Sequence, residues 1–183
     1  MKTCLYHLGL IPALLVGMLP PPALVETVSA GERVGTYDSR LVAFAAFWDE
    51  SHQARLNALI QEARRAKEQG DLPRHQSLAK QLSARQDELH MQVFSTAPIN
   101  RVLTGLGDRL PALMREAGVR RVVSQWDEAA LAGVPAADRV DVTDLLVRGF
   151  HVPEAKRRQL EQMKTVKPLP LERARQMVQQ HQL

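Results

Sequence analysis

Apolar positions along the chain fall into a few short β-like runs separated by a long stretch of helical spacing. Arg33-Val34-Gly35-Thr36-Tyr37 reads as extended, and the next such run is Val119-Arg120-Arg121-Val122-Val123-Ser124-Gln125-Trp126. If those runs pair, everything between them leaves a small sheet and comes back to it. Asp38-Ser39 supplies an N-cap that closes the first strand and opens a helix. That helix is predicted over Arg40 to Gln69, with an inward stripe of Leu41, Ala45, Trp48, His52, Leu56, Leu59, Ala63 and Ala66. The spacing alternates four and three except at 48-52-56, a stutter that relaxes a left-handed supercoil. Its first half, Leu41 to Trp48, is apolar all the way round, as a helix buried on every face would be.

Gly70 suits the C′ position, Asp71 the next N-cap and Pro73 the first turn of a second helix, about Leu72 to Phe94. So short a turn predicts an antiparallel helical hairpin. Leu72, His75, Ala79, Leu82, Gln86, Leu89 and Val93 form its stripe. Counting outward from the turn sets Leu59 near Leu82, Ala63 near Ala79 and Trp48 near Val93. At 1.5 Å per residue, an arm over about 48–94 is roughly 33 Å long. Ser95 or Thr96 is expected to cap a third helical stretch, with Pro98 in its first turn and a bend near Gly107-Asp108; Gly118 ends it. Val140-Asp141-Val142 reads as a last short strand, and Thr143 as the cap of a helix reaching Phe150. Residues 127–132 are open between a second hairpin strand and a turn of helix. Residues 151–183 read as a tail of two polar helical segments around Lys167-Pro168-Leu169-Pro170, the first opened by Pro153.

The first thirty residues change the picture. Lys2 precedes an almost uncharged run from Leu5 to Leu19, Pro20-Pro21-Pro22 breaks it, and Val28-Ser29-Ala30 offers small residues for signal peptidase. A membrane-spanning helix needs about 20 apolar residues, whereas this run is shorter and contains Pro12. The expectation is a secretory leader cleaved after Ala30 and an extracytoplasmic, periplasmic location. Cys4 is the single cysteine, so the mature chain holds no disulfide framework and no thiol nucleophile. Only 4% of residues are aromatic and Ala, Leu, Gln, Glu and Arg abound, which favours a mostly helical α+β chain. The formal net charge of +4 permits weak attraction to anionic lipid surfaces or acidic chains and no more.

This order of elements, Arg33-Val34-Gly35-Thr36-Tyr37-Asp38 running into a helix, a helical hairpin, Val122-Val123, then Asp141-Val142-Thr143-Asp144-Leu145-Leu146, resembles the Skp/OmpH family of periplasmic outer-membrane-protein chaperones. The resemblance spans roughly 33–150. It implies a Skp/OmpH-like fold, a small β body with a protruding hairpin, as a domain over 31–150. It further implies a homo-oligomer (a trimer in that family) whose arms hold unfolded or partly folded exported proteins without catalysis. The hairpin here is much shorter than in the family's better-known members, and the tail has no counterpart in it. The alternative function is a structural or adaptor protein of the envelope whose hairpin docks one folded partner.

Candidate chemistry is sparse. Asp49, Glu50, His52, Glu88 and His90 stand at similar heights on the two helices, but none of the spacings that mark a zinc site is present. Ser39, Ser95, Thr96 and Thr143 stand where caps belong, with no traceable base, and Gly105-Leu106-Gly107 lacks the context of a dinucleotide loop. No catalytic, cofactor or metal residue is therefore expected. Basic clusters at 64–67, 120–121 and 156–158 lack interleaved aromatics, which disfavours nucleic acid. Leu41, Phe44, Phe47 and Trp48 are the expected oligomer core or client contact, because one helix cannot bury them alone.

Overall fold

The computed structural model describes residues 32–180; the expected leader and its cleavage point lie outside the described residues. The chain is α+β and mostly helical, with one small parallel sheet. Its strands are β1 (Val34–Tyr37), β2 (Arg121–Ser124) and β3 (Arg139–Asp141), in the order β2-β1-β3. Gly35 stands opposite Val122 on one side and Val140 on the other, with both neighbours parallel to β1. The N-terminal strand is thus the centre of the sheet, and the excursion between the strands is real.

Alternation along β1 sends Val34 and Thr36 to one face and Gly35 and Tyr37 to the other. Val34 and Val123 pack with Leu131 and Val134 from the β2–β3 connection, which contains α6 (Glu128–Leu131) and a 3-10 turn over Ala136–Asp138. The open reading of 127–132 resolves as helix because Asp127 accepts from the Ala130 N–H. The opposite face carries the main core: Tyr37, Val119 and Val142 with Leu41, Val42, Val93, Ile99, Leu106, Leu146, Phe150 and Leu160. A Cβ on Gly35 would stand 2.9 Å from Val142, 3.1 Å from Val122 and 3.2 Å from Val119, so the strand lies against the core without room for a methyl group.

The long first helix is divided. α1 (Ser39–Phe47) begins at the expected cap, where Asp38 accepts from the Arg40 N–H, but α2 (Glu50–Glu68) starts afresh with Asp49 as its own N-cap. The stutter at 48-52 therefore relaxes by breaking the helix, because the Asp49 carboxylate takes the Ser51 and His52 N–H groups that a continuous helix would send to the backbone. The turn follows the expectation. Gly70 has φ 73°, its N–H bonds Lys67 O and the Asp71 N–H bonds Ala66 O, a Schellman ending. Asp71 caps α3 (Leu72–Phe94), with Pro73 in the first turn.

α3 folds back on α2. Arg74 pairs with Glu62, and His75 Nδ1 lies 3.1 Å from Ala63 O. His75, Leu82, Leu89 and Val93 face inward as expected and Leu59 lies beside Leu82, but Leu78, not Ala79, fills the space against Ala63 and Ala66. Ala79 and Gln86 face water, and Leu72 is 58% exposed.

Ser95 closes α3 as its C-cap residue and does not cap the next helix. Its hydroxyl donates back to Met91 O, and its backbone bridges to Leu169. α4 (Asn100–Gly105) begins after Ile99 without a side-chain cap and beyond Pro98. Gly107 separates it from α5 (Arg109–Ala117), as the bend required, and Gly118 at φ 65° ends α5. Thr143 is also not a cap: it lies inside α7 (Thr143–Arg148), and its hydroxyl accepts the Asp38 N–H. α8 (Glu154–Lys164) and α9 (Leu171–Gln180) form the tail. It packs on the body: Leu160 and Val152 join the main core and α9 lies against α3.

Gly35→Ala is expected to destabilise the fold by about 1–3 kcal/mol through overpacking, lowering the urea midpoint at constant slope. Gly133→Ala, with open space around it, is expected to stay within about 0.5 kcal/mol.

Candidate functional site

Two polar centres hold the helices to the sheet. The first is at the carboxyl ends of the strands, where α/β proteins tend to place ligands. β1 runs into Asp38, Ser39 and Arg40, which are 6%, 0% and 4% exposed. Asp38 Oδ2 accepts from Arg40 Nη2 at 2.7 Å and Oδ1 from Arg40 Nε at 3.1 Å, a two-point pairing of fork and carboxylate. The Trp126 indole N–H adds a long bond to Oδ1 at 3.4 Å, and its ring lies 5.4 Å from the guanidinium. Arg40 Nη1 reaches Val166 O at 2.5 Å in the α8–α9 connection.

These groups are occupied by one another. A buried carboxylate bound on both oxygens is a joint, not a free base. Ser39 Oγ is wholly buried without a hydrogen-bond partner, so no substrate reaches it. The Tyr37 hydroxyl is raised to about 12, by burial first and by the nearby Asp127 charge second, and it stays protonated at neutral pH.

The second centre is at the break between α1 and α2. Asp49 is 5% exposed; Oδ1 accepts from the Ser51 hydroxyl at 2.5 Å and Oδ2 from the His151 N–H at 2.9 Å. Burial pushes this carboxyl upward. The bonds from Ser51 Oγ and from the His151, His52 and Ser51 N–H groups outweigh it and bring the group to about 2. Asp49 thereby ties the foot of α2 to the residues leaving α7. An open hollow of about 360 Å³ at this foot is lined by Asp49, Glu50, Ser51, Arg109 and His151. A second, about 500 Å³, lies at the turn between Glu62, Arg65, Gln69 and Arg74.

The possible metal cluster is not brought together: Asp49 turns inward as a cap, His52 lies against Phe47 and His90 against Phe94. Among the described residues no three His, Cys, Asp or Glu side chains are placed to share an ion. His52 is lowered by burial first, then by Arg55 and Arg85, with Asp49 opposing them.

Of the four residues expected at an oligomer core or client contact, Leu41 is 3% exposed within its own chain and so serves neither. Phe44, Phe47 and Trp48 are half-buried. Phe47 and Trp48 rings meet edge to face at 5.0 Å, and the Lys156 ammonium lies 3.9 Å over the Trp48 ring. Sequence reasoning missed the tail as the partner of this helix. The large exposed apolar side chains are instead Leu72 at the turn, Phe94 at the end of α3, Val166 and Met177. Among the described residues no helix is long and apolar enough to cross a membrane.

Comparison with known proteins returns no match, whether to a family model, a curated protein or a solved structure.

Two outcomes follow from these centres. Asp38→Ala leaves the Arg40 guanidinium buried without its carboxylate and is expected to cost about 3–5 kcal/mol, most of it recovered in Asp38→Ala/Arg40→Met; chemical denaturation of the two variants checks this. Because the folded Asp49 carboxyl is depressed, its stabilisation is complete above the ordinary carboxylate value near pH 4 and is lost as pH falls toward 2. Asp49→Asn should remove that pH-linked component, about 2–3 kcal/mol, from acid titrations of stability.

Proposed function

We propose that this is an exported, non-catalytic polypeptide-binding protein, a short-armed holdase of the cell envelope on the Skp/OmpH plan. Its clients are unfolded or partly folded exported proteins, and it works as a homo-oligomer, a trimer by the resemblance. The observation that carries the reading is the pairing of β1 with both β2 and β3, which leaves the intervening α2–α3 segment as an antiparallel arm hung on a small β body. Each arm contributes weak apolar contact through Leu72 and Phe94, and several arms on one body convert weak contacts into useful avidity. Apolar contact of this kind scales with area and tolerates any sequence. Balanced acidic and basic residues along the arm keep contact with anionic lipid surfaces weak.

One observation favours the second reading, an adaptor whose hairpin docks a single folded partner. The outer faces of α2 and α3 are polar, and the hollow at the turn is lined by charged and amide groups. Polar, shaped surfaces select a partner, whereas holdases need apolar area.

The test uses the mature chain against several unrelated unfolding proteins, with light scattering as the readout. The holdase reading expects suppression near stoichiometric amounts and a clear loss in Leu72→Asp/Phe94→Ser, whose sites are too exposed for the fold to depend on them. Capture of one folded protein at fixed stoichiometry, without suppression, would replace it with the adaptor. Sedimentation gives the number of arms, and a monomer would end the avidity argument.

A further inference from the structure

From the packing of the C-terminal segment we infer that residues 153–180 are a strap that closes over α1 and α3 and opens as a unit, gating the apolar surface beneath. This rests on the polypeptide-binding reading and adds its regulation. α1 needs a cover: Phe44 and Trp48 are half-buried, α8 lies against α1, and Lys156 stands over the Trp48 ring. α9 covers α3 in the same way.

The strap is lightly held. Among its described residues only Leu160 and Ala174 are buried, against six of the nine residues in α1. Its polar ties to the body include Val166 O on Arg40, the Leu169 N–H on Phe94 O at 2.8 Å, and Lys164 on the exposed Asp144 at 2.9 Å, and Met163 packs at the edge of the main core. Segments with few buried apolar contacts open at lower free energy than the core they cover.

The geometry also supplies a hinge. The His151 N–H is held by the buried Asp49 carboxylate and Val152 is in the core, whereas Pro153 immediately follows. Opening beyond Pro153 leaves the Asp38–Arg40 pair intact, because Arg40 gives up one bond to Val166 O and keeps both to Asp38. The sheet and α1 therefore survive the motion that uncovers Trp48 and the faces of α1 and α3 beneath α8 and α9.

The experiment uses the full mature chain carrying Ser95→Cys and Leu169→Cys, two positions already bridged backbone to backbone. Hydrogen exchange of the reduced form is expected to be about tenfold or more faster in α8 and α9 than in α1 and β1, and oxidation to the disulfide should erase most of that difference. Binding of a reduced, carboxymethylated unfolded protein should fall on oxidation to the part that the exposed Leu72 and Phe94 carry, and should recover with reductant. Equal protection of α8 and α1 in the reduced form, or exchange unaffected by the lock, would overturn the strap. Equal client binding by both forms also overturns it and leaves the holdase standing. Gated exchange with client binding by neither form supports the strap and removes the holdase instead. A Leu160→Ala chain without the lock, expected to exchange and bind more readily, guards against a lock that merely distorts the site.

Discussion

The position of β1 constrains everything else in this chain. It pairs on both sides with strands that arrive much later in the sequence, and parallel neighbours cannot be joined by a tight turn. The chain between β1 and β2 must therefore leave from the carboxyl end of β1 and re-enter beside its start. It does so through α1, the α2–α3 excursion and the bent pair α4 and α5. The smaller β2–β3 connection passes over the opposite face. One face of a three-stranded sheet thus receives most of the helices, and the other a single short one.

Charged groups buried at the two ends of α1 convert this topology into geometry. Asp38 and Arg40 fix the start of the helix against Trp126 and the backbone of Val166. Asp49 ends its continuation and holds the next helix against His151. Breaking such a pair is costly because it strands the remaining charge, even where the intact pair adds little net stability. Their value here is directional: they state where α1 starts, where α2 departs, and where the tail passes. A helical excursion that leaves a small sheet needs that kind of fixed root more than it needs a rigid tip. The close approach of Ala63 and Ala66 to Leu78 gives the outer arm only a small apolar contact of its own.

Much of the local structure was legible in the chain. Gly70, Asp71 and Pro73 specify a helix stop, a cap and a start by backbone and side-chain chemistry that needs no distant partner. The same is true of Gly107, Gly118 and the capping carboxylate of Asp38. The misjudged positions share one physical origin. Ser95 and Thr143 have good capping chemistry but are taken by Met91 O and the Asp38 N–H, partners chosen by packing. Asp49 stands inside the helix expected over 40–69, although a carboxylate two residues before a serine N–H is itself a capping signal. In the α3 stripe Leu78 takes the inward place expected of Ala79, since an alanine and a leucine side by side satisfy the same period and the larger apolar side chain gains more from burial.

For the candidate site the division is sharper. Leu41 to Trp48 announces by composition alone that it must be covered, and that much the sequence determined. Whether the cover is a second chain, a client or the chain's own C-terminal segment depends on contacts between residues more than a hundred positions apart. No periodicity encodes those. Hydrophobic burial is non-directional, so an apolar helix states a requirement without naming its partner. Tertiary structure supplied one such partner, by setting α8 against α1 and closing Arg40 onto Val166.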